Sequence, residues 1–226
     1  MTFNHELIKN LPELEQINTD SGRFYLTPEG NRYSSVTTIL GTMSDKSGLD
    51  QWRERVGARE ADRIGNQAAT RGTHFHSLCE DYVLNREVDV QSLMPLDKQL
   101  FNQTKKVLDA NLTTLRGSES RLYSNKLKSA GSCDLICDWN GELAIGDFKT
   151  SAKPKDKEYI LNYFLQTTAY SYMLWEQHRM MCKKIVVIIA CDSLPHAQVY
   201  IEDPRKYIDK VVDMFDTFDY NNNKHG

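Results

Sequence analysis

The chain has 226 residues, 40% of them hydrophobic and 26% charged, which suits one globular domain with a sizeable core and an appended lobe. Its formal charge of -3 excludes a broad basic face, so any nucleic-acid contact must concentrate positive charge locally. No apolar run reaches membrane-spanning length, and the start Met1-Thr2-Phe3-Asn4-His5-Glu6 has neither a basic, apolar leader nor an Arg-rich transit pattern, so an intracellular setting is expected.

In chain order, residues 1–20 read as a short helix or an irregular arm. Arg23-Phe24-Tyr25-Leu26 and Arg32-Tyr33-Ser34-Ser35-Val36 flank the turn cluster Pro28-Glu29-Gly30-Asn31 and predict a small hairpin. Ser35 then caps a helix running to Met43. From Leu49 to Arg71 the pattern is helical, marked by Trp52, Val56 and Ile64. Arginines at 53, 55, 59, 63 and 71 alternate with Glu54, Glu60 and Asp62, as in either a solvated, salt-bridged face or a phosphate-contacting lobe. Gly72 to Asn85 reads as a second helix that buries Phe75, Leu78 and Tyr82 and carries His76 and Glu80 together on a different stripe. A polar loop over 86–98, a helix over 99–115 and a strand at Arg121–Ser124 follow.

The next stretch organises the chain. Residues 130–151 form two strand-like runs around Asn140-Gly141, the strongest short-range hairpin signal. A two-residue turn there sets Trp139 opposite Glu142, Ile136 opposite Ile145, and Asp134 opposite Asp147. Side chains alternate, so Ser132, Asp134, Ile136, Ile145, Asp147 and Lys149 share one face, and Cys133, Leu135, Cys137, Ala144 and Phe148 the other. Two carboxylates directly opposite are destabilising unless one takes up a proton or a cation lies between them. Paired carboxylates with a lysine two residues on suit a hard divalent cation that polarises a phosphodiester and activates water. The lysine would orient the water or stabilise developing charge.

Lys153-Pro154-Lys155-Asp156-Lys157 is a basic loop just past this strand. A helix over 158–177, an apolar strand at 184–190 with both faces covered, a strand at 198–201, a helix over 204–218 and a polar tail over 220–226 complete the chain. The expected fold is α/β: a central mixed sheet flanked by helices, with a mostly helical N-terminal lobe (residues 1–71) and a core (residues 72–226) forming one compact unit. The cysteines at 79, 133, 137, 182 and 191 are odd in number, lie mostly in apolar runs and include no Cys-x2-Cys, so they read as reduced core residues.

Gly72-x3-His76-x3-Glu80, Gly131-x2-Asp134, Asp147-x-Lys149 and Gln166-x3-Tyr170, in that order, resemble the PD-(D/E)XK nuclease superfamily and its restriction-endonuclease-like core. More narrowly they resemble its RecB-like exonuclease branch. Ser35-Val36-Thr37-Thr38-Ile39-Leu40, Asp147-Phe148-Lys149-Thr150-Ser151-x-Lys153-Pro154 and Leu165-Gln166-x2-Ala169-Tyr170 are similar to the mitochondrial genome maintenance exonucleases and their phage relatives. The eponymous proline is absent, since Cys133 precedes Asp134. The resemblance implies metal-dependent hydrolysis of single-stranded DNA from a free end, with the strand threaded through an arch. The alternatives are a flap- or junction-cutting endonuclease and a non-catalytic module that binds nucleic-acid ends. His76, Asp134, Asp147 and the carbonyl of Phe148 would hold Mg²⁺, with Mn²⁺ tolerated because imidazole is a softer ligand. Lys149 would act on the water or leaving oxygen. Gln166, Tyr170, Thr150, Ser151, Lys153 and Arg71 would contact substrate, and Glu80 would fix the His76 ring. An iron–sulfur cluster, found in some such nucleases, is not expected, because Cys133 and Cys137 would be spent beside the active face. The expected setting is the cytoplasm of a phage host or bacterium, where replication or recombination proteins are possible partners.

Overall fold

A computed structural model describes residues 2–224. Its centre is a mixed, nine-stranded sheet among the described residues, organised around one strand, β6 (Ser129–Trp139). Along one edge, β6 pairs antiparallel with β5 (Leu112–Ser124) over its whole length. Along its other edge it has two partners in succession. Ser129 and Ala130 pair in parallel with β4 (Arg32–Ser35), while Leu135 to Trp139 pair antiparallel with β7 (Glu142–Ser151). Between them, residues 131–134 have no ladder partner on that edge. From Asp147 onward β7 leaves β6 and pairs only with β8 (Lys184–Cys191), which β9 (Gln198–Glu202) follows.

The turn at Asn140-Gly141 forms as expected. Both residues take the left-handed backbone that a tight hairpin requires, with φ of 50° and 78°. The expected pairs Trp139 with Glu142 and Ile136 with Ile145 are present, and pairing stops at Leu135 with Gly146, one step short of the two aspartates.

The N-terminal segment is extended rather than helical. β1 (Asn4–His5) adds to β5 in parallel, and β2 (Glu15–Thr19) pairs with β3 (Gly22–Leu26). β3 and β4 form the expected hairpin, and Ser35 caps α1 (Val36–Met43) by accepting the Thr38 N–H. The helical stretch expected over 49–85 breaks at a different place. Gly57, at φ 86°, separates α2 (Ser47–Val56) from a single 26-residue helix, α3 (Ala58–Val83), which runs through Gly72. Glycine at 72 costs helix propensity, but the flanking residues and the buried stripe of Phe75, Leu78 and Tyr82 carry the helix through. α4 (Pro95–Asn111) starts earlier and ends earlier than expected. The chain turns extended at Leu112, so β5 is far longer than the four residues read from the sequence.

α5 (Leu161–His178) follows a short 3-10 turn at Lys157–Ile160 and, with α1 and α6 (Ile208–Lys224), covers one face of the sheet. There Phe164, Met173 and Phe215 pack on Ile145, Val187 and Ile189. α3 and α4 cover the other face, where Phe75, Phe101 and Leu108 pack on Leu135, Phe148, Val186 and Ile188. β8 is therefore buried on both faces, as its continuous apolar run predicts. Cys133 departs from the expected alternation. It packs with Ile136 and Tyr170 rather than with Leu135 and Cys137, in the stretch of β6 that lacks a β7 partner. All five cysteines are buried and free. The expected polar tail continues α6 through Lys224, and His225 and Gly226 lie outside the described residues.

Candidate active site

The gap left where β4 ends and β7 departs from β6 is the candidate site. Its pocket, about 310 Å³, is lined by Asp134, Gly131 and Ser132 of β6, Lys149 of β7 and Glu119 of β5. His76 closes it from α3, and Gln166 and Tyr170 from α5, so it is lined from helices on both faces of the sheet. A second pocket of about 520 Å³ adjoins it along α3, sharing His76 and Glu119 and adding Glu80.

Asp134 is almost fully buried, and its Oδ2 accepts the Phe148 N–H at 2.8 Å. That side-chain bond replaces the ladder bond lost where the strands part, and it secures the parting. His76 Nδ1 stands 3.5 Å from Asp134 Oδ2 and 3.8 Å from Glu119 Oε1. Burial opposes a charge on this imidazole, yet the two carboxylates win and raise its pKa to about 10. Burial also works against charge on Asp134, but His76 and then Lys149 bring its pKa below the ordinary value.

Asp147 is 1% exposed. Its Oδ1 accepts from Gln166 Nε2 at 2.8 Å, and its Oδ2 forms an ion pair with Lys149 Nζ at 2.5 Å. The same Oδ2 is buried without a well-aligned hydrogen bond, so a lone pair is left for another cation. Burial pushes Asp147 up to about 6 against the pull of Lys149, and Asp134 beside it adds to the rise. Lys149 stays above its ordinary value, because Asp147 and Asp134 outweigh its burial. Its ammonium also lies 5.2 Å from the centre of the Tyr163 ring, a cation–π contact that holds the side chain in place.

One residue of the site is absent from the sequence reading. Glu119 offers a carboxylate oxygen that lies within 4.8 Å of donors from His76 and Asp134, and these three form the one such cluster among the described residues. Asp147 lies outside this group, bound to Gln166 and Lys149. Glu119 sits between the pairs Ser118 with Leu135 and Ser120 with Cys133, opposite Asp134. Its φ of 46° is a left-handed backbone, which costs a glutamate about 1–3 kcal/mol. The Ser132 hydroxyl donates to its other oxygen at 2.8 Å. The missed signal was a turn at 125–128: joining β5 to β6 there puts residue 119 opposite residue 134.

The remaining expected residues divide. Glu80 lines the adjoining pocket rather than the gap, and its pKa is raised by burial and by Glu119. Tyr170 is in the gap, its ring against Gly131. Arg71 lies outside both pockets, in an ion pair with Asp192 at 2.8 Å that ties α3 to the turn after β8. The Ser151 hydroxyl is turned to the Lys153 carbonyl at 2.6 Å, Thr150 is half-buried outside the pocket lining, and Lys153 is on the exposed loop. In the arginine-rich helices, Arg53 pairs with Asp62 and Arg63 with Glu60, which is the solvated face for those two.

The donor set suits a hard divalent cation: carboxylate oxygens and one imidazole, with the buried Asp147 Oδ2, paired with Lys149 but without a well-aligned hydrogen bond, near them. The family model described as the PD-(D/E)XK nuclease superfamily matches residues 49–214. No curated protein matches the chain.

Proposed function

The chain belongs to the PD-(D/E)XK nuclease superfamily, and on that premise we propose that it is a Mg²⁺- or Mn²⁺-dependent exonuclease that hydrolyses single-stranded DNA from a free end. The observation that carries this is the gap itself: the buried Asp134, His76, Glu119 and the half-buried Lys149 line one pocket, and the buried Asp147 is paired with Lys149. A bound divalent cation supplies Lewis-acid polarisation of the phosphodiester and a water activated at neutral pH.

The chain's own residues do the rest. His76, once it gives up its proton, Glu119 and Asp134 would hold the cation, and Asp147 and the Phe148 carbonyl would complete the set. Gln166 fixes the Asp147 carboxylate. Lys149, held between Asp147 and Tyr163, orients the attacking water and stabilises charge on the phosphate oxygens. Tyr170 supports the backbone of β6 at Gly131. His76 upstream of the aspartates and a Gln-x3-Tyr helix after the lysine support the RecB-like branch. Preference for single strands is supported by the net charge of -3 and by the paired arginines of α2 and α3, which leave a stiff duplex no broad basic face. A flexible strand reaches a recessed site by threading, and threading needs an end.

The test is a time course with Mg²⁺ on three substrates: end-labelled linear single strands, blunt duplex and closed circular single strands. The linear strand is expected to be degraded, the duplex slowly or not at all, and the circle left intact. Nicking of a verified closed circle makes the protein an endonuclease. Tight binding to ends without hydrolysis in Mg²⁺ or Mn²⁺ makes it an end-binding module.

A further inference from the structure

We propose that Arg23, on the N-terminal hairpin, is a substrate-binding residue that grips a phosphate next to the scissile one; this rests on the nuclease reading above. Arg23 lies in residues 1–48, outside the segment that the family model matches. On β3, Arg23 and Tyr25 are two apart and point to the same side. Both line the gap pocket, and Arg23 also lines the adjoining pocket along α3, so it stands where the two meet.

Charge singles it out. Three cationic side chains line the two pockets: Arg23, His76 and Lys149. His76 faces Asp134 and Glu119, and Lys149 faces Asp147. Arg23 is exposed, and its guanidinium has no carboxylate partner among the described residues. Glu80, Glu119 and Asp134 line the same walls, three acids against those three cations, so beside a bound cation the unpaired guanidinium of Arg23 is the positive group left to meet a polyanion. A free guanidinium at the junction offers the planar fork that phosphate oxygens accept from.

The fold also fixes its place. The Thr38 hydroxyl accepts from Arg23 N at 3.1 Å and donates to Arg23 O at 3.3 Å, while the Ser35 hydroxyl donates to it at 2.8 Å. Gly22, at φ 128°, lets the chain pass so close that a Cβ there would lie 2.6 Å from Thr38 Cγ2. The run Ser35-Val36-Thr37-Thr38 thus caps α1 and clamps the backbone of Arg23 in one arrangement.

The experiment is a methylphosphonate scan read by binding, with Ca²⁺ in place of Mg²⁺. Neutral linkages are placed one at a time along a single-stranded oligonucleotide. Wild-type affinity is expected to fall about tenfold at one linkage beside the cleavage position. Arg23→Ala should bind the unmodified strand about tenfold more weakly and show no further loss at that linkage, with its sensitivity elsewhere kept. Its log-log salt slope should fall by roughly 0.7. In turnover with Mg²⁺, KM should rise while kcat stays within about twofold, the signature of uniform binding. Arg23→Gln serves as a second variant should the alanine protein melt early, and Arg23→Lys should restore part of the affinity. A wild-type profile and salt slope in a folded Arg23 variant, or a loss confined to kcat, overturns the proposal. Because the scan reads binding alone, it still decides the role of Arg23 if the wild-type protein cleaves nothing, which would refute the nuclease reading instead.

Discussion

Replacing Gly131 by alanine tests how the gap is held open. A Cβ at residue 131 would lie 2.6 Å from Tyr170 Oη, 2.9 Å from Cε1 and 3.2 Å from Cζ. The ring cannot retreat easily, since Tyr170 is buried among Leu165, Ala169 and Leu174 in the core of one face. Nor can β6, because residue 131 is paired with Leu122 across the β5 ladder. Overpacking of an ordered core costs about 1–3 kcal/mol. For a chain of 226 residues that lowers the melting temperature by about 2–12 °C. The strain falls three residues before Asp134, and a misplacement of about 1 Å at reacting groups costs about a hundredfold in rate. Gly131→Ala should therefore lower both the melting temperature and kcat on end-labelled single strands, measured on the same preparation. Tyr170→Phe removes Oη, the nearest clash, and leaves the next carbon, so adding it to Gly131→Ala should return part of the lost stability but not all. A Gly131→Ala protein that melts within about 1 °C of wild type at full activity would refute the close-packing account of this glycine.

The metal site is checked by thermal melts across pH. Mn²⁺ should raise the melting temperature above that in EDTA, and Asp147→Asn should abolish both the shift and cleavage. His76, with its pKa raised to about 10, and Asp147, raised to about 6, hold protons that a bound cation must displace. In the metal-free protein these raised values contribute stability that is lost as pH rises, through about 6 for Asp147 and about 10 for His76. The Mn²⁺-induced shift should therefore shrink as pH falls from about 8 to about 5.5, and more steeply below 6; a shift constant over that range counts against these ligands. Glu119→Gln should weaken Mn²⁺ binding about tenfold or more by titration calorimetry, and unchanged affinity would remove Glu119 from the donor set. Lys149→Ala should leave strand affinity nearly intact while slowing hydrolysis roughly a hundredfold; collapsed affinity with surviving turnover would make Lys149 a phosphate contact only. Arg63→Ala should leave the salt slope of strand binding unchanged, because Glu60 already occupies its guanidinium, and a drop of roughly 0.7 would show a phosphate contact there.

What the sequence by itself determined is local. Asn140-Gly141 sets a two-residue turn, and that turn sets the register through Ile136 and Ile145, which brings Asp134 and Asp147 to the same end of the hairpin. Ser35 announces the start of α1, and the unbroken apolar run of β8 requires a helix layer on each face. Turn chemistry, capping and periodicity act within a few residues and so can be read directly. The separation of β6 from β7 after Gly146 is tertiary: β4 takes the edge of β6 at Ser129 and Ala130, and Tyr170 fills the space over Gly131. Those partners lie about 100 residues before β6 and about 40 after it, beyond the reach of any local signal. The same holds for Glu119 and Arg23. Glu119 sits in a left-handed backbone at the point of β5 opposite Asp134, and Arg23 on a strand that local pattern shows only as half of a small hairpin. Pairing across the sheet places both at the gap, because backbone hydrogen bonding between strands distant in sequence decides which side chains share a pocket.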